Sequence, residues 1–424
     1  VLIEIGSTLD MFHCENGYAY AEIIVGKHKE IWPLETKSFR EWLSHQYFKL
    51  SGIGADRGSL VDAISTLASK ARYNCEQRAT YLRVANVADS IYIDLCDKRW
   101  RVIEITSAGW QILDHSPVAF IRHKGMAPLP VPDQNGDISL LWQLLNVAEN
   151  HKPLVLGFLV SAMRQYGPYP ILVLLGEQGT AKSSVARVIR SLIDPSTVPL
   201  RAPAKDERDF MIGAMNNWMV VMDNLSGMKP WLSDAMCRLS TGGGYAAREL
   251  YSDTDETLRD VQRPSIANGI DDICTRPDFA HRALLLHLLP ISKKKRMTER
   301  QFNKQLREYS PMILGALLHR LSAALRNIDS INLEELPRMG DFLEWAIAAE
   351  DGANEFSAAY YKNQADLVMT GLEASPVART LMEIMGYPED GGLSEWRGSV
   401  TELLELLNMN MPDEETRRSK AWPK

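Results

Sequence analysis

Eight residues have the types and spacing of a phosphate-binding loop. Gly176-Glu177-Gln178-Gly179-Thr180-Ala181-Lys182-Ser183, continued by Ser184, fits G-x-x-x-x-G-K-[ST] at every position but one. In that pattern glycines let the backbone wrap a phosphate, the lysine reaches the β- and γ-phosphates, and the hydroxyl binds Mg²⁺. Ala181 stands where the second glycine belongs, with Gly179 supplying freedom nearby. The chemistry implied is ATP binding, with Gly176 to Ser184 around the phosphates and Ser183 on the metal. A second feature follows downstream. The apolar run Trp218-Met-Val-Val-Met222 ends in Asp223-Asn224. A carboxylate at the end of a buried strand after a phosphate loop is placed to hold Mg²⁺, so Asp223 joins Ser183 as a metal residue.

These groups need a strand, a turn and a helix to position them. Ile171-Leu-Val-Leu-Leu175 reads as a buried strand, and Val185, Val188, Ile189 and Leu192 fall at helical spacing. A helix N-terminus after the loop would add its backbone N–H groups and its dipole to phosphate binding.

The composition bounds the rest. At 424 residues the chain has room for two to four domains, and its 45% apolar and 24% charged content is that of a globular protein. The five cysteines are scattered, with no C-x-x-C or H-E-x-x-H, which argues for a reducing, cytoplasmic setting and against structural zinc. Leu154 to Met163, the longest apolar stretch, is too short to span a bilayer, and no signal peptide is visible. A net charge of −7 speaks against a DNA-coating protein but allows one that grips nucleic acid through a few loops.

Residues 1–135 read as a mixed α+β unit. Tyr18–Val25 is a strand; Phe39, Trp42, Leu43, Tyr47 and Leu50 share one helical face; Ser59 is placed to cap a second helix carrying Leu60, Ile64 and Leu67. Tyr81–Val87, Ser90–Leu95, Trp100–Ile105 and Val118–Arg122 follow as short strands. Asp94 and Asp97 could form a metal-binding carboxylate pair, but turn chemistry accounts for both. Met126-Ala-Pro128-Leu-Pro130-Val-Pro132 is a proline-rich linker and sets the first boundary. Helices are expected at Leu140–Ala148 and Leu154–Gln165, a short strand at Val198–Arg201 and a helix at Lys205–Asn216. Helices are also expected at Thr298–Glu308 and Met312–Asn327. Residues 331–424 read as further helices, including Leu381–Met385 and Val400–Leu407.

Between these lies a sequence of motifs. Leu239-Ser-Thr241-Gly-Gly-Gly244-Tyr-Ala-Ala-Arg248 opens a hairpin-like segment; Arg263-Pro264-Ser-Ile-Ala-Asn268-Gly269 is a strand ending in an amide; Arg276-Pro277-Asp278-Phe279-Ala280-His281-Arg282 leads into the apolar Ala283–Leu289. With the phosphate loop and Asp223, this order resembles the AAA+ ATPases of helicase superfamily 3. The closest type is that found with phage, plasmid and integrated-element replication genes. The resemblance is dense over residues 171–290.

It implies an α/β fold: an AAA+ P-loop core over residues 136–330 with a central parallel five-stranded sheet, a pre-sensor hairpin and a helical lid. An α+β domain at 1–135 would precede it and a mostly helical region at 331–424 would follow. It implies ATP and Mg²⁺ as cofactors, with Lys182, Asp223, Asn268 and Arg282 catalytic. Asn268 matches the sensor that orients the attacking water. Arg282 matches the finger reaching the neighbouring subunit, with Arg276 as competitor. The site is then shared, so a homo-oligomer, a hexamer, is implied, with single-stranded DNA in its channel and no membrane. Arg248 and Arg259 are the candidate DNA contacts. The function implied is a ring-forming DNA helicase or translocase replicating a mobile element. Its rival is an ATP-dependent oligomeric switch or loader with weak hydrolysis. A metabolic P-loop kinase would leave Asn268 and Arg282 without roles.

Two departures bear on the choice. The hairpin tip Ser252-Asp-Thr-Asp-Glu256 is acidic, and Asn224 stands where such ATPases carry a water-polarising glutamate, so Glu177 is an alternative acid. Lys293-Lys-Lys-Arg296 reads as a solvated connector. Relatives of this type often continue into a winged helix after a segment like Ala421-Trp422-Pro423-Lys424.

Overall fold

A computed structural model describes residues 1–248, 256–269, 273–274, 276–292, 296–350, 352, 354–386, 395–410 and 422, with the side chains of 244–260 left aside. The tip residues 252–255, the lysines 293–295, and 421, 423 and 424 lie outside the described residues.

The chain opens with α1 (Leu2–Ser7), β1 (Asp10–His13), β2 (Ala19–Val25), β3 (His28–Pro33), α2 (Lys37–Ser51) and α3 (Arg57–Asn74). The strands form an antiparallel sheet in the order β1-β2-β3, and α2 and α3 pack their apolar faces on it through Phe39, Leu43, Leu60, Ile64 and Leu67. Helix α3 starts earlier than its apolar spacing suggests. Asp56, not Ser59, is its N-cap: Asp56 Oδ2 accepts the Ser59 N–H at 3.1 Å.

A second sheet follows. β5 (Val84–Val87), β6 (Ser90–Asp94), β7 (Val102–Thr106) and β8 (Gly109–Leu113) form an antiparallel meander, while β4 (Thr80–Tyr81) and β9 (Ala119–Phe120) pair separately and in parallel. The single strand expected over Tyr81–Val87 is thus two. Arg83, at φ 65°, breaks it, because a left-handed residue cannot continue an extended ladder. Val118–Arg122 contributes only the two residues of β9.

Beyond the linker, the expected helix over Leu140–Ala148 shrinks to a 3₁₀ turn at Ile138–Leu140 and one turn, α4 (Leu141–Leu144). α5 (Lys152–Ala162) leads to β10 (Ile171–Leu175) and α6 (Lys182–Ile193). Then come α7 (Glu207–Met215), β11 (Val220–Leu225), α8 (Pro230–Thr241), the ribbon β12 (Gly244–Arg248) and β13 (Glu256–Asp260), β14 (Ser265–Gly269), α9 (Pro277–Ala280) and β15 (Ala283–His287).

β11, β14, β10 and β15 form a parallel sheet in that order. Alternation splits each strand between two cores: Leu172, Leu174, Ile266 and Leu284 face α5 and α6, whereas Ile171, Val173, Ala267 and Leu285 face α7 and α8. All five residues of β10 are buried, and each large apolar side chain so buried contributes about 1.5–3 kcal/mol. The resemblance implies five strands, but among the described residues the sheet has four. Val198–Arg201 supplies only an isolated parallel bridge from Arg201 to Met222, because Pro199 and Pro203 flank it and lack the N–H a ladder requires.

The C-terminal half is helical. α10 (Glu299–Asn327) runs unbroken through Pro311, where two helices were expected. The segment after the linker runs against this part of α10. Asp133 and Asp137 donate their backbone N–H groups to the Pro311 and Met312 carbonyls at 3.0 Å, and a Cβ on Gly315 would lie 1.8 Å from Asp133 O. Ile313, Leu314, Leu317 and Leu321 bury α10 in the same core as β5–β8, α4 and α5. α11 (Gly340–Ala348) packs on α5, and α12 (Glu355–Ala374), α13 (Pro376–Met385) and α14 (Val400–Met409) follow. α12 covers the open edge of β15: Asn363 accepts the Leu285 N–H at 2.9 Å and returns a bond to Leu285 O at 2.7 Å. No described helix is long and apolar enough to cross a membrane.

Candidate functional site

The loop between β10 and α6 lies at the C-terminal end of the parallel sheet, where open α/β sheets place ligands. Its backbone is shaped by three left-handed residues, Gly176 at φ 153°, Gly179 at 88° and Ala181 at 66°. Gly176 admits no side chain, because a Cβ there would lie 2.7 Å from Leu288 O. Ala181 therefore occupies a conformation that favours glycine, which is what the motif's second glycine is for. Glu177, Gln178 and Gly179 are exposed at the crest, Thr180 is buried, and Ser184 begins the helical body. Thr180 Oγ1 donates to Glu177 O at 2.9 Å and fixes the curl.

Ala181 caps α6 without a side-chain hydrogen bond, which leaves the first-turn N–H groups of a twelve-residue helix to the loop. Lys182 folds back over the loop, and its ammonium donates to Gly176 O and, at 3.0 Å, to Glu177 O. Burial lowers its pKa, while the charge of Asp223 acts the other way. The residues fit a phosphate group: a glycine at the root of the loop where a Cβ would clash, an uncapped helix end and a lysine held by carbonyls alone.

The acid and the amide converge on the same point. Ser183 Oγ donates to Asp223 Oδ1 at 2.9 Å. Asn268 Nδ2 donates to the same oxygen at 2.6 Å, and Asn268 Oδ1 accepts the Asn224 N–H at 2.7 Å. Asn268 is fully buried on β14, between β11 and β10. The β11–β14 ladder shifts register between Met222 and Leu225, so Asp223 and Asn224 bulge out of the sheet. Asn224 sits at φ 59°, which asparagine tolerates better than glutamate, and its side chain is exposed. Among the described residues no group of three His, Cys, Asp or Glu could hold a metal. The Ser183 hydroxyl beside the Asp223 carboxylate is a pair of oxygen donors that fits Mg²⁺ bound together with a phosphate.

The structure thus joins Lys182, Ser183, Asp223 and Asn268. The arginines lie elsewhere. Arg282 precedes β15, and its carbonyl accepts the Ile171 N–H, so it stands at the N-terminal edge of the sheet. A five-residue strand separates that edge from Gly176, about 16 Å at the usual rise. Arg282 is nearly buried, donating to Asp278 Oδ1 at 2.5 Å and to Asp278 O at 2.9 Å. Arg276, N-cap of α9, is more exposed and pairs with Asp234 at 2.8 Å. Arg282 therefore does not reach the loop of its own chain, and Arg276 is held by Asp234 and the Pro230 carbonyl. The ladder of β12 and β13 sets Arg248 opposite Glu256 and Arg259 opposite Tyr245. Asp94 is no metal ligand in waiting, since Arg122 holds it at 2.6 Å, and Asp97 caps its own turn through the Arg99 and Arg101 N–H groups.

One contributor has no sequence signal. Asn146 Nδ2 donates to Thr180 O at 3.1 Å and to Leu289 O at 2.6 Å, tying the loop to the segment after β15. An asparagine in an irregular stretch announces nothing when its partners are 34 and 143 residues away.

Residues 138–369 match the model of the actinomycete integrative conjugative element replication protein family, more than half of the chain. The chain belongs to this family. As one of the actinomycete integrative conjugative element replication proteins, it is a replication protein of a mobile element. The matched segment contains the phosphate loop, Asp223, Asn268 and both arginines. No curated protein matches. Among solved structures, the C-terminal region of NrS-1 in its A-form apo state is 8% identical, with a TM-score of 0.44 over 97% of this chain and 85% of that one. An apo structure of NrS-1 residues 305–718 is 9% identical, with a TM-score of 0.43 over 96% and 85%. The inhibitor-bound JCV helicase is 10% identical, with a TM-score of 0.28 over 59% and 65%. Similarity at this level does not fix a fold for the chain.

Proposed function

We propose that this replication protein is an ATP-driven, ring-forming translocase acting as the replicative DNA helicase of its element. The observation that carries the reading is the convergence of Lys182, Ser183, Asp223 and Asn268 at the C-terminal end of a parallel sheet. That convergence supports reading residues 136–330 as an AAA+ P-loop core of the superfamily 3 kind. Residues 1–135 form an α+β domain before it, and 331–424 a helical region after it.

ATP would lie across Gly176–Ser184, with Lys182 leaving the loop carbonyls for the phosphates. Ser183 and Asp223 would hold Mg²⁺, which would supply charge neutralisation on the phosphates. Asn268, already fixed by two bonds, orients water beside Asp223. Arg282 stands at the far edge of the sheet from its own loop and Arg276 is paired with Asp234, so one of them would complete the site of a neighbouring copy, as a ring requires; such an arginine contributes roughly 10³–10⁵ in rate. Hairpin residues Arg248 and Arg259 would contact single-stranded DNA in the channel. Such a protein works in the cytoplasm.

A specific observation supports a second reading, an ATP-dependent oligomeric switch or loader. Asn224 cannot act as a base, and its place in a bulge at φ 59° suits asparagine for backbone reasons. Electron microscopy of the protein with ATP, Mg²⁺ and forked DNA, run beside an unwinding assay, separates the readings. Rings that unwind the fork support the helicase; rings without unwinding support the loader; monomers that unwind nothing contradict both.

A further inference from the structure

At the N-terminal edge of the parallel sheet, away from the phosphate loop, a cleft of about 540 Å³ separates the first antiparallel sheet from the parallel-sheet core. Asn16 and Tyr18 line one side, Tyr81 and His123 another, and Asn216 and Arg263 the core side. The Tyr81 ring is set by an edge contact with Phe120 at 6.3 Å.

Arg263 is the unusual member. It follows β13 and precedes β14, so it stands at the root of the β12–β13 ribbon. Its guanidinium donates to the Asn217 and Gln262 carbonyls at 3.2 and 2.8 Å and lies 5.1 Å from the Trp218 ring centroid. Among the described residues no carboxylate forms an ion pair with it, and burial lowers its pKa. A half-buried cation ordinarily has an acidic partner; the acid whose charge acts on Arg263, Asp194, forms no ion pair with it. The acid on the cleft wall, Glu35, is taken by Arg72. His123 is held neutral, by burial first and by the Arg263 charge second, so its ring offers one donor and one acceptor. The cleft therefore presents a cation without an ion-pair partner among the described residues, aromatic faces, two amides and a neutral imidazole. That is the chemistry of a phosphate and a base.

We propose that this cleft holds one nucleotide of single-stranded nucleic acid, its base against Tyr18 and Tyr81 and its phosphate on Arg263. The position at the ribbon root favours a continuous strand over a free nucleotide, because the β12–β13 ribbon is the element assigned to the strand. In that choice of source the inference rests on the translocase reading.

The test is fluorescence anisotropy of a labelled oligothymidylate on the full chain without ATP, with thymidine monophosphate as competitor. Photocross-linking of an iodouracil-substituted oligonucleotide maps the site. Tyr18→Ala and Arg263→Gln are each expected to weaken oligonucleotide binding roughly tenfold, within the range for one stacked base. ATP binding stays unchanged, and cross-links fall on Tyr18, Tyr81 or His123. Arg263→Gln removes a packed side chain, so the exposed Tyr18→Ala variant keeps the test decisive if the first fails to fold. Unchanged binding in Tyr18→Ala, with cross-links only outside the cleft, overturns the inference while leaving the translocase reading intact. Thymidine monophosphate binding as tightly as the oligonucleotide overturns the single-strand source. No binding of the oligonucleotide by the wild-type chain removes both.

Discussion

Asn268 and Asp223 share a 2.6 Å hydrogen bond while the other end of the same amide accepts the Asn224 N–H at 2.7 Å. One buried side chain thus sets the orientation of the carboxylate and of the bulge that carries it. Asn268→Ala is expected to leave ATP binding largely intact and to lower turnover by roughly 10²–10³, the cost of one positioned polar group in a preorganised site. Asn268→Asp is expected to be worse, since it sets a second carboxylate against Asp223. Steady-state hydrolysis beside a nucleotide-binding titration checks both.

Ala181 holds a left-handed backbone at φ 66°. Ala181→Gly removes that strain but adds freedom to the unfolded chain, so stability should rise by no more than about 1 kcal/mol. Ala181→Val should cost about 2 kcal/mol or more, because a β-branched residue fits this conformation poorly, and it should weaken nucleotide binding. Thermal melts with and without nucleotide report both effects.

The phosphate loop, its strand and its helix are legible in the sequence because their information is local. Glycines, an apolar run and helical spacing all fall within some twenty residues of Gly176. Asp223 and Asn268 are legible as strand ends, but their common oxygen is not, because 45 residues separate them. Asn146 is invisible for the same reason. The missing fifth strand and the unbroken α10 show the converse. Pro199 and Pro203 deny a ladder that the apolar residues between them invite, whereas Pro311 lies inside α10 without ending it.

Asn224→Glu tests what limits hydrolysis. The glutamate should raise turnover by supplying a base near Asp223. It should also cost about 1 kcal/mol of stability, since glutamate at φ 59° lacks the local bonding that suits asparagine to it. Lower turnover in a folded variant would show that Asn224 serves a role its backbone position does not reveal.

Arg282 holds the Asp278 carboxyl below its ordinary value of 3.8, chiefly through their hydrogen bond. A depressed carboxylate contributes stability above its unfolded pKa and loses it as pH falls through the folded one. The window is therefore below pH 3.8. In Arg282→Gln the Asp278 titration is expected to move up toward the ordinary value, and acid unfolding to lose that contribution. Carbon-detected NMR of the carboxyl follows it. An unmoved titration would free Arg282 from Asp278 and strengthen its claim as the trans residue over Arg276.

Arg83 is fully buried and pairs with Asp194 at 3.1 Å, while Asp194 also accepts the Trp218 and Met219 N–H groups. This pair joins the second sheet to the C-terminal end of the phosphate-loop helix. Arg83→Ala leaves the buried Asp194 carboxylate with only the more distant Arg190, at 3.9 Å, and should cost about 3 kcal/mol. Chemical denaturation measures it. A small loss, or a separate early transition for residues before the linker, would show that the two parts are not energetically joined.

The central claim, that Gly176–Ser184, Asp223 and Asn268 hydrolyse ATP in the service of movement on DNA, is tested most directly by steady-state ATP hydrolysis with and without single-stranded DNA. The account predicts turnover that requires Mg²⁺, rises when single-stranded DNA is added, and disappears in Lys182→Ala. Hydrolysis that is absent in the wild-type chain, or indifferent to both DNA and Lys182, would contradict it.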